Sequence, residues 1–307
     1  MAGDSLTYPA CRTKLTWKLR TRALELGART LVMGVVNITP DSFSDGGAFV
    51  APEAAVAHGL RLLEEGADLL DLGAESTRPG TRAGGAAPAV SAEEEMARLL
   101  PVVRGILAAR PGAVISVDTY KAETARAALR AGAEIVNDVS GFLWDGRMLE
   151  VCAEAGCGVV VMHTRGRRDE WKQLPALGCD ALLGVVRQGL AASSQAAVRA
   201  GIAAEAVVLD PGYGFGKRLD ENYDLLARQG ELLELGRPLL AGVSRKGFLG
   251  RTLAPLFGGV PAPVEARETA SLAAMVAAIL NGASVVRVHG VRASVEAAAI
   301  ADRLRWG

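Results

Sequence analysis

The chain has 307 residues, of which half are hydrophobic and only 5% aromatic, so its core must be built from Ala, Val, Leu and Ile, as where helices cover buried parallel strands. Lys plus Arg and Asp plus Glu both number 34, which excludes a bulk basic field of the kind that draws nucleic acid or an anionic membrane; any anion site is local. Cys11, Cys152, Cys157 and Cys179 lack the paired spacing of structural zinc, no basic-then-apolar leader opens the chain, and no apolar run reaches the roughly 20 residues that cross a bilayer, so the expectation is a soluble cytoplasmic protein with reduced thiols.

In chain order, residues 11 to 30 come first. Leu15, Trp17 and Leu19 alternate with polar residues, a period of two that predicts a small β-hairpin, placed as a plug beneath the strands after it. From Leu31 onward eight short apolar runs, rich in β-branched residues or leucine, alternate with Ala/Leu/Glu/Arg-rich stretches of helical spacing. The strands are predicted to end near Asn37, Gly73, Asp118, Asn137, His163, Asp210, Val243 and Val288, about one per 36 residues, the size of a βα unit. Strands without polar alternation are buried on both faces, as in a parallel sheet wrapped by helices. The fold expected is therefore α/β, a (β/α)8 TIM barrel over about 31–305, its bottom closed by the hairpin, in a single domain 1–307. An open doubly wound sheet is the alternative; no Gly-x-Gly-x-x-Gly follows the first strand. The Gly/Ala/Pro-rich stretch from Gly80 to Val90 reads as a surface loop between strand 2 and its helix.

Polar residues concentrate where apolar strands stop. In a barrel those ends share one rim, so Asn37, Asp118, Asn137, Asp210, Lys246, Arg287 and His289 should converge. Helix capping explains Asp and Asn at such turns equally well, but not Lys246, Arg287 or His289, because a helix N-terminus disfavours cations. Two loops, Asn37-Ile-Thr-Pro-Asp-Ser-Phe-Ser-Asp-Gly-Gly47 and Glu75-Ser-Thr-Arg-Pro-Gly80, combine turn formers with hydroxyl and guanidinium donors, as lids over a phosphorylated substrate do. Further on, Asp210-Pro-Gly-Tyr-Gly-Phe-Gly-Lys217 and Gly242-Val-Ser-Arg-Lys-Gly-Phe248 set glycines that admit a ligand close to the backbone beside one acidic and one cationic wall.

With Val117-Asp-Thr119, Asn137-Asp-Val-Ser-Gly141 and Arg287-Val-His289, these motifs stand in the order of the dihydropteroate synthase family, which the chain resembles from about Leu31 to Val291. The resemblance implies an enzyme that joins 6-hydroxymethyl-7,8-dihydropterin diphosphate to para-aminobenzoate, giving 7,8-dihydropteroate and diphosphate in folate biosynthesis, and that is a target of sulfonamides. It places the pterin on Asp118, Asn137, Asp210 and Lys246 between the apolar walls Val139 and Met162, and a magnesium ion on Asn37. Thr77, Arg78, Arg287 and His289 fall in the diphosphate set; Phe215, Gly214, Pro79 and Ser244 lie where the aminobenzoate packs, and Gly242 is a further substrate contact. Asp118, Asp210, Lys246, Arg287 and His289 are the catalytic candidates. The partners implied are small molecules and a second copy of the chain, packed through the last helices, with neither nucleic acid nor membrane.

The chemistry of the substrates agrees with those residue types. A pterin presents an edge of N–H donors that a carboxylate accepts in pairs, as it accepts a guanidinium. Departure of diphosphate from the pterin methylene leaves a cation-like centre that Asp118 and Asp210 would stabilise, while magnesium, Arg287, His289 and the Thr77/Arg78 loop take the negative charge at the opposite end. The chain departs from the family pattern in a longer stretch from Gly80 to Ser91, in Met162-His-Thr-Arg-Gly166 where a second Met is common, in the charged run Arg167-Arg-Asp-Glu170, read as a variable rim, and in Gly290, where an Asp often supports the histidine. Rival readings are a pterin-dependent methyltransferase barrel, which would need no diphosphate donors, and a catalytically silent pterin-binding paralogue.

Overall fold

The computed structural model describes residues 13–39, 52–75 and 90–306. An antiparallel hairpin, β1 (Leu15–Lys18) and β2 (Ala23–Leu26), leads the chain. Eight parallel strands come after it: β3 (Leu31–Asn37), β4 (Leu69–Gly73), β5 (Ile115–Asp118), β6 (Ile135–Asp138), β7 (Gly158–Met162), β8 (Val207–Asp210), β9 (Leu239–Ala241) and β10 (Ala283–Val288). Each pairs with the next, and β10 pairs with β3, so the sheet closes into a barrel. The open-sheet alternative is thereby removed.

The helices between strands are α1 (Pro52–Glu64), α2 (Ala92–Ala109), α3 (Ala122–Arg130), α4 (Met148–Ala155), α5 (Cys179–Arg199), α6 (Leu219–Arg228), α7 (Gly247–Thr252), α8 (Glu268–Leu280) and α9 (Val291–Trp306). None of the described helices is long and apolar enough to cross a membrane. Their starts follow local chemistry. Ser91 caps α2 by accepting the Glu94 N–H at 3.1 Å, and three glutamates in that first turn face the positive end of the helix dipole.

Because strand side chains alternate faces, each barrel strand feeds two cores. Outward residues such as Val32, Leu70, Leu72, Val117, Val136 and Val159 pack with the helices in one large cluster. Inward residues at the strand starts, among them Met33, Leu69, Ile135, Val160, Val208, Leu240 and Val285, pack with Trp17, Leu19 and Leu26 of the hairpin. Trp17 is fully buried, and its indole N–H donates to the Ala206 carbonyl at 3.0 Å. The hairpin is thus the plug expected, seated against the N-terminal ends of the strands.

Strand ends match the sequence expectation to within a residue or two. β6 runs one residue past Asn137, β7 stops one short of His163, and β9 ends at Ala241, two residues before Val243. Beyond β9 the chain turns through Ser244 and Arg245, and Arg245 adopts φ 57°, a left-handed conformation foreign to regular strand.

Candidate active site

Two residues further along the strands from the hairpin-facing layer, the inward positions change character. Leu69 is followed by Asp71, Ile135 by Asn137, Val160 by Met162, Val208 by Asp210, Leu240 by Gly242 and Val285 by Arg287. The period of two that sends Leu69 into the plug therefore sends Asp71 into the barrel one layer higher. The same parity brings Asp118, at the end of β5, to that face, and Asn37, at the end of β3, lies in register with Gly73 on the same rim. The C-terminal mouth of the barrel is thus lined by charge above an apolar floor, where barrel enzymes hold their sites.

Arg287 is the hub of this layer. Its Nε donates to Asp71 Oδ2 at 2.6 Å and its Nη2 to Asp118 Oδ2 at 2.8 Å. Asp71 Oδ2 also accepts from Asn137 Nδ2 at 2.9 Å, and Asp71 Oδ1 from the Ser116 hydroxyl at 2.6 Å. Two carboxylates share one guanidinium, which leaves one excess negative charge in a buried place. Burial pushes the Asp118 carboxyl up to about 7, with Arg287 opposing the rise and Asp71 adding to it. The picture of acid and cation at opposite ends of the site is corrected here: Arg287 is bonded directly to Asp118.

Asp210 and Lys246 form the adjoining half. Asp210 Oδ1 accepts the Gly212 N–H at 2.7 Å; burial raises this carboxyl above its ordinary value, and the backbone donor opposes the rise. A Cβ on Gly242 would lie 3.7 Å from Asp210 Oδ2 and 4.0 Å from Arg287 Cβ, so Gly242 sits between the acid and the guanidinium. Burial lowers Lys246 to about 8, opposed by the charges of Asp210 and Asp118. Its Nζ lies 4.3 Å from the centroid of the Phe215 ring. Gly214, at φ 83°, approaches the same lysine side chain, a Cβ there standing 3.6 Å from Lys246 Cδ.

The apolar walls come together as well. Val139, Met162 and Phe215 form one buried cluster, edged by the half-buried Tyr120, Trp144 and Trp171. On the far side the Ser244 hydroxyl and His289 Nδ1 are 3.0 Å apart, and the His289 backbone N–H reaches the same hydroxyl at 3.3 Å. Of the residues singled out in the sequence, Asn37, Asp118, Asn137, Val139, Met162, Asp210, Gly214, Phe215, Gly242, Ser244, Lys246, Arg287 and His289 all lie at this mouth. Thr77, Arg78 and Pro79, the first loop from Pro40 to Gly47, and the stretch from Gly80 to Ala89 lie outside the described residues.

Several participants escaped the sequence reading. Asp71 is fully buried and holds both Arg287 and Asn137; its signal was an acid in the middle of Leu69-Leu-Asp-Leu-Gly73, which no apolar strand carries without a partner. Lys217 is buried and donates to the carbonyls of Gly212 at 2.7 Å and of His163 and Phe215, each at 3.2 Å, so it pins the turn that carries Phe215; burial lowers it to about 7. Lys121 bridges Glu75 and Glu95, anchoring the residue from which the second loop departs. Arg165 is buried, donating to Gly216 O at 3.2 Å and Pro175 O at 2.9 Å and paired with Glu221 at 3.3 Å.

At Gly290 the structure explains the departure from pattern. A Cβ there would run into Glu268 Oε1, and the other oxygen of Glu268 accepts from Arg245 Nε at 3.1 Å. A carboxylate therefore fills this space from α8, and glycine is what leaves room for it.

Comparison with known proteins agrees with this arrangement. The pterin binding enzyme family matches residues 33–289. A dihydropteroate synthase of Mycobacterium leprae is 45% identical over 266 residues, 87% of this chain and 90% of the relative. The structure of Xanthomonas albilineans dihydropteroate synthase with 4-aminobenzoic acid superposes with a TM-score of 0.82 at 42% identity, covering 95% of this chain and 99% of the other. The same enzyme with 7,8-dihydropteroate gives a TM-score of 0.78 at 41% identity, covering 94% and 98%.

Proposed function

The chain belongs to the pterin binding enzyme family, among its dihydropteroate synthases, and we propose that the mouth of its barrel condenses 6-hydroxymethyl-7,8-dihydropterin diphosphate with para-aminobenzoate, as in the folate-synthesis reaction of its relatives. The observation that carries this reading is the single layer of Asp71, Asp118, Asn137, Asp210, Lys246 and Arg287 over an apolar floor. A ring rich in N–H donors finds carboxylates there, a leaving diphosphate finds cations, and neither a membrane nor nucleic acid is needed.

Roles follow from atoms. Asp210 and Asn137 would hold the donor edge of the pterin, with Val139 and Met162 as the flat walls. Asp118, held as the carboxylate by Arg287, would stabilise positive charge growing at the pterin methylene as the carbon–oxygen bond to diphosphate breaks. Arg287, bonded to Asp71 and Asp118, has guanidinium donors at the level where diphosphate oxygens would arrive, and His289, steadied by Ser244, stands beside it. The arylamine attacks as the neutral amine, so no strong base is demanded; the proton it loses goes to solvent or to the departing diphosphate. Thr77 and Arg78 would add donors from the second loop, and Pro79, Gly214, Ser244 and Phe215 would line the arylamine side.

Magnesium fits this chain through Asn37. Asn37 closes β3 in register with Gly73 at the barrel mouth, and among the described residues no cluster of three or more His, Cys, Asp or Glu could hold a metal alone. A hard ion that keeps its waters and prefers phosphate oxygens suits one amide oxygen plus a diphosphate. Bound there, it would neutralise the leaving group. A homodimer is also proposed: α9 exposes Ile300 and Leu304, 67% and 65% accessible and one turn apart, an apolar stripe of the kind a second copy covers.

The test is release of diphosphate by the purified protein given both substrates and magnesium. Release that requires the arylamine supports the condensation. No release would favour a silent binder, and release without the arylamine would make the chain a hydrolase.

A further inference from the structure

The loop after β7 carries an aromatic side chain onto the arylamine side of the mouth. Trp171 meets Phe215 edge to face, ring centroids 5.5 Å apart and planes at 81°, while Lys246 Nζ lies 4.3 Å from the centroid of that same Phe215 ring. Phe215 is therefore held between a cation and an indole. Such an aromatic pair contributes about 0.5–1.5 kcal/mol beyond area burial and fixes ring orientation.

Trp171 is not a passing surface residue. Its indole N–H donates to the Gly166 carbonyl at 3.3 Å, and the loop that bears it is fastened at several points. Arg165, buried, ties it to Gly216 and Pro175. Glu221 accepts the Leu177 N–H at 2.8 Å and the Arg218 N–H at 2.6 Å, so one carboxylate joins the end of this loop to the end of the Phe215 turn. Gly216, with φ 71°, completes the fit: a Cβ there would stand 3.0 Å from Trp171 Cδ1 and 2.8 Å from Arg165 Cβ. The two loops thus meet at the edge-to-face contact of Phe215 and Trp171.

We propose that Trp171 is a specificity residue of the arylamine subsite: it fixes the Phe215 ring and closes the outer wall against which an aromatic amine stacks, with no part in holding the pterin. This rests on the condensation reading. The pterin walls Val139 and Met162 belong to the same apolar cluster, but the ring contact of Trp171 is to Phe215 alone among the described aromatic side chains.

The experiment is steady-state kinetics on W171A and W171F, varying the dihydropterin diphosphate and para-aminobenzoate separately, with melting temperature recorded for each variant. W171A should raise KM for para-aminobenzoate by about three- to tenfold, the range of one aromatic pair, with kcat and the pterin KM within about twofold of the parent, a KM-only loss that marks removed ground-state binding. W171F, which keeps a ring in place, should restore most of the loss. An unchanged arylamine KM in W171A, or an equal rise in the pterin KM, would overturn the proposal while leaving the condensation reading intact. An inactive parent protein would overturn both.

Discussion

Asp71 and Arg287 stand on strands separated only by β3 and bond Oδ2 to Nε at 2.6 Å, which sets the Arg287 guanidinium against the acids. Asp71 is fully buried and its two oxygens are shared among Arg287, Asn137 and Ser116. Without Asp71, Arg287 keeps Asp118, but the buried donors of Asn137 and Ser116 lose their acceptor, at a cost of about 1–3 kcal/mol each. Asp71→Ala should therefore lower unfolding stability by about that amount and raise KM for the dihydropterin diphosphate. Urea unfolding with parallel kinetics checks it; a variant as stable as its parent would show that Asn137 and Ser116 do not need Asp71 as acceptor.

The Asp118 carboxyl gives a pH signature. Its folded value is pushed up to about 7 from an ordinary 3.8, first by burial and against the pull of Arg287. Between those values the folded protein keeps a proton that the unfolded chain has released, so this group's contribution to stability is whole below about 4 and is lost as pH rises through 7. Asp118→Asn should flatten that part of the stability curve. Denaturant midpoints measured from pH 4 to pH 8 decide the matter: an unchanged slope would assign the effect to another group.

The bottom of the barrel should behave oppositely to its mouth. Trp17 is fully buried in the hairpin plug, against Ile135, Val160 and Val208, and truncating a buried tryptophan costs about 3–5 kcal/mol. Trp17→Ala is expected to lose that much stability with kcat/KM at low temperature within about threefold of the parent, since nothing at the mouth touches it. A large loss of activity in folded protein would mean that the plug sets the shape of the pocket.

The legibility of these features follows their physics. Asn37, Asp118 and Asp210 were readable because a polar residue closing an apolar run stands out against its neighbours, and eight such runs fix the topology. The hairpin was readable from the alternation around Trp17. Asp71 is less legible because it sits mid-strand, not at a strand end, and only the three-dimensional pairing with Arg287 and Asn137 explains an acid there. Lys217 was visible as part of a glycine-rich motif but not as a buried donor to three carbonyls, and Trp171 was submerged beside the charged run Arg167 to Glu170. Charge predicts exposure on average; it does not reveal which residue of a loop folds inward.

Gly290 and Glu268 make a pair that can be tested together. The Glu268 carboxylate takes the space beside Gly290 and binds Arg245. Gly290→Asp forces a second carboxylate into it, an overpacking that costs about 1–3 kcal/mol. Combining it with Glu268→Ala should recover much of the melting temperature. Additive losses in the double variant would show that the two positions are independent.

Titration of the dihydropterin diphosphate into the parent protein and Asp210→Asn is the most direct measurement of whether the acidic layer recognises the pterin. Charge-assisted hydrogen bonds contribute about 1.5–3 kcal/mol each, so the variant should bind roughly ten- to a hundredfold more weakly while its affinity for para-aminobenzoate stays close to that of the parent. Equal pterin affinity in the two proteins would contradict the assignment of the barrel mouth as a pterin site.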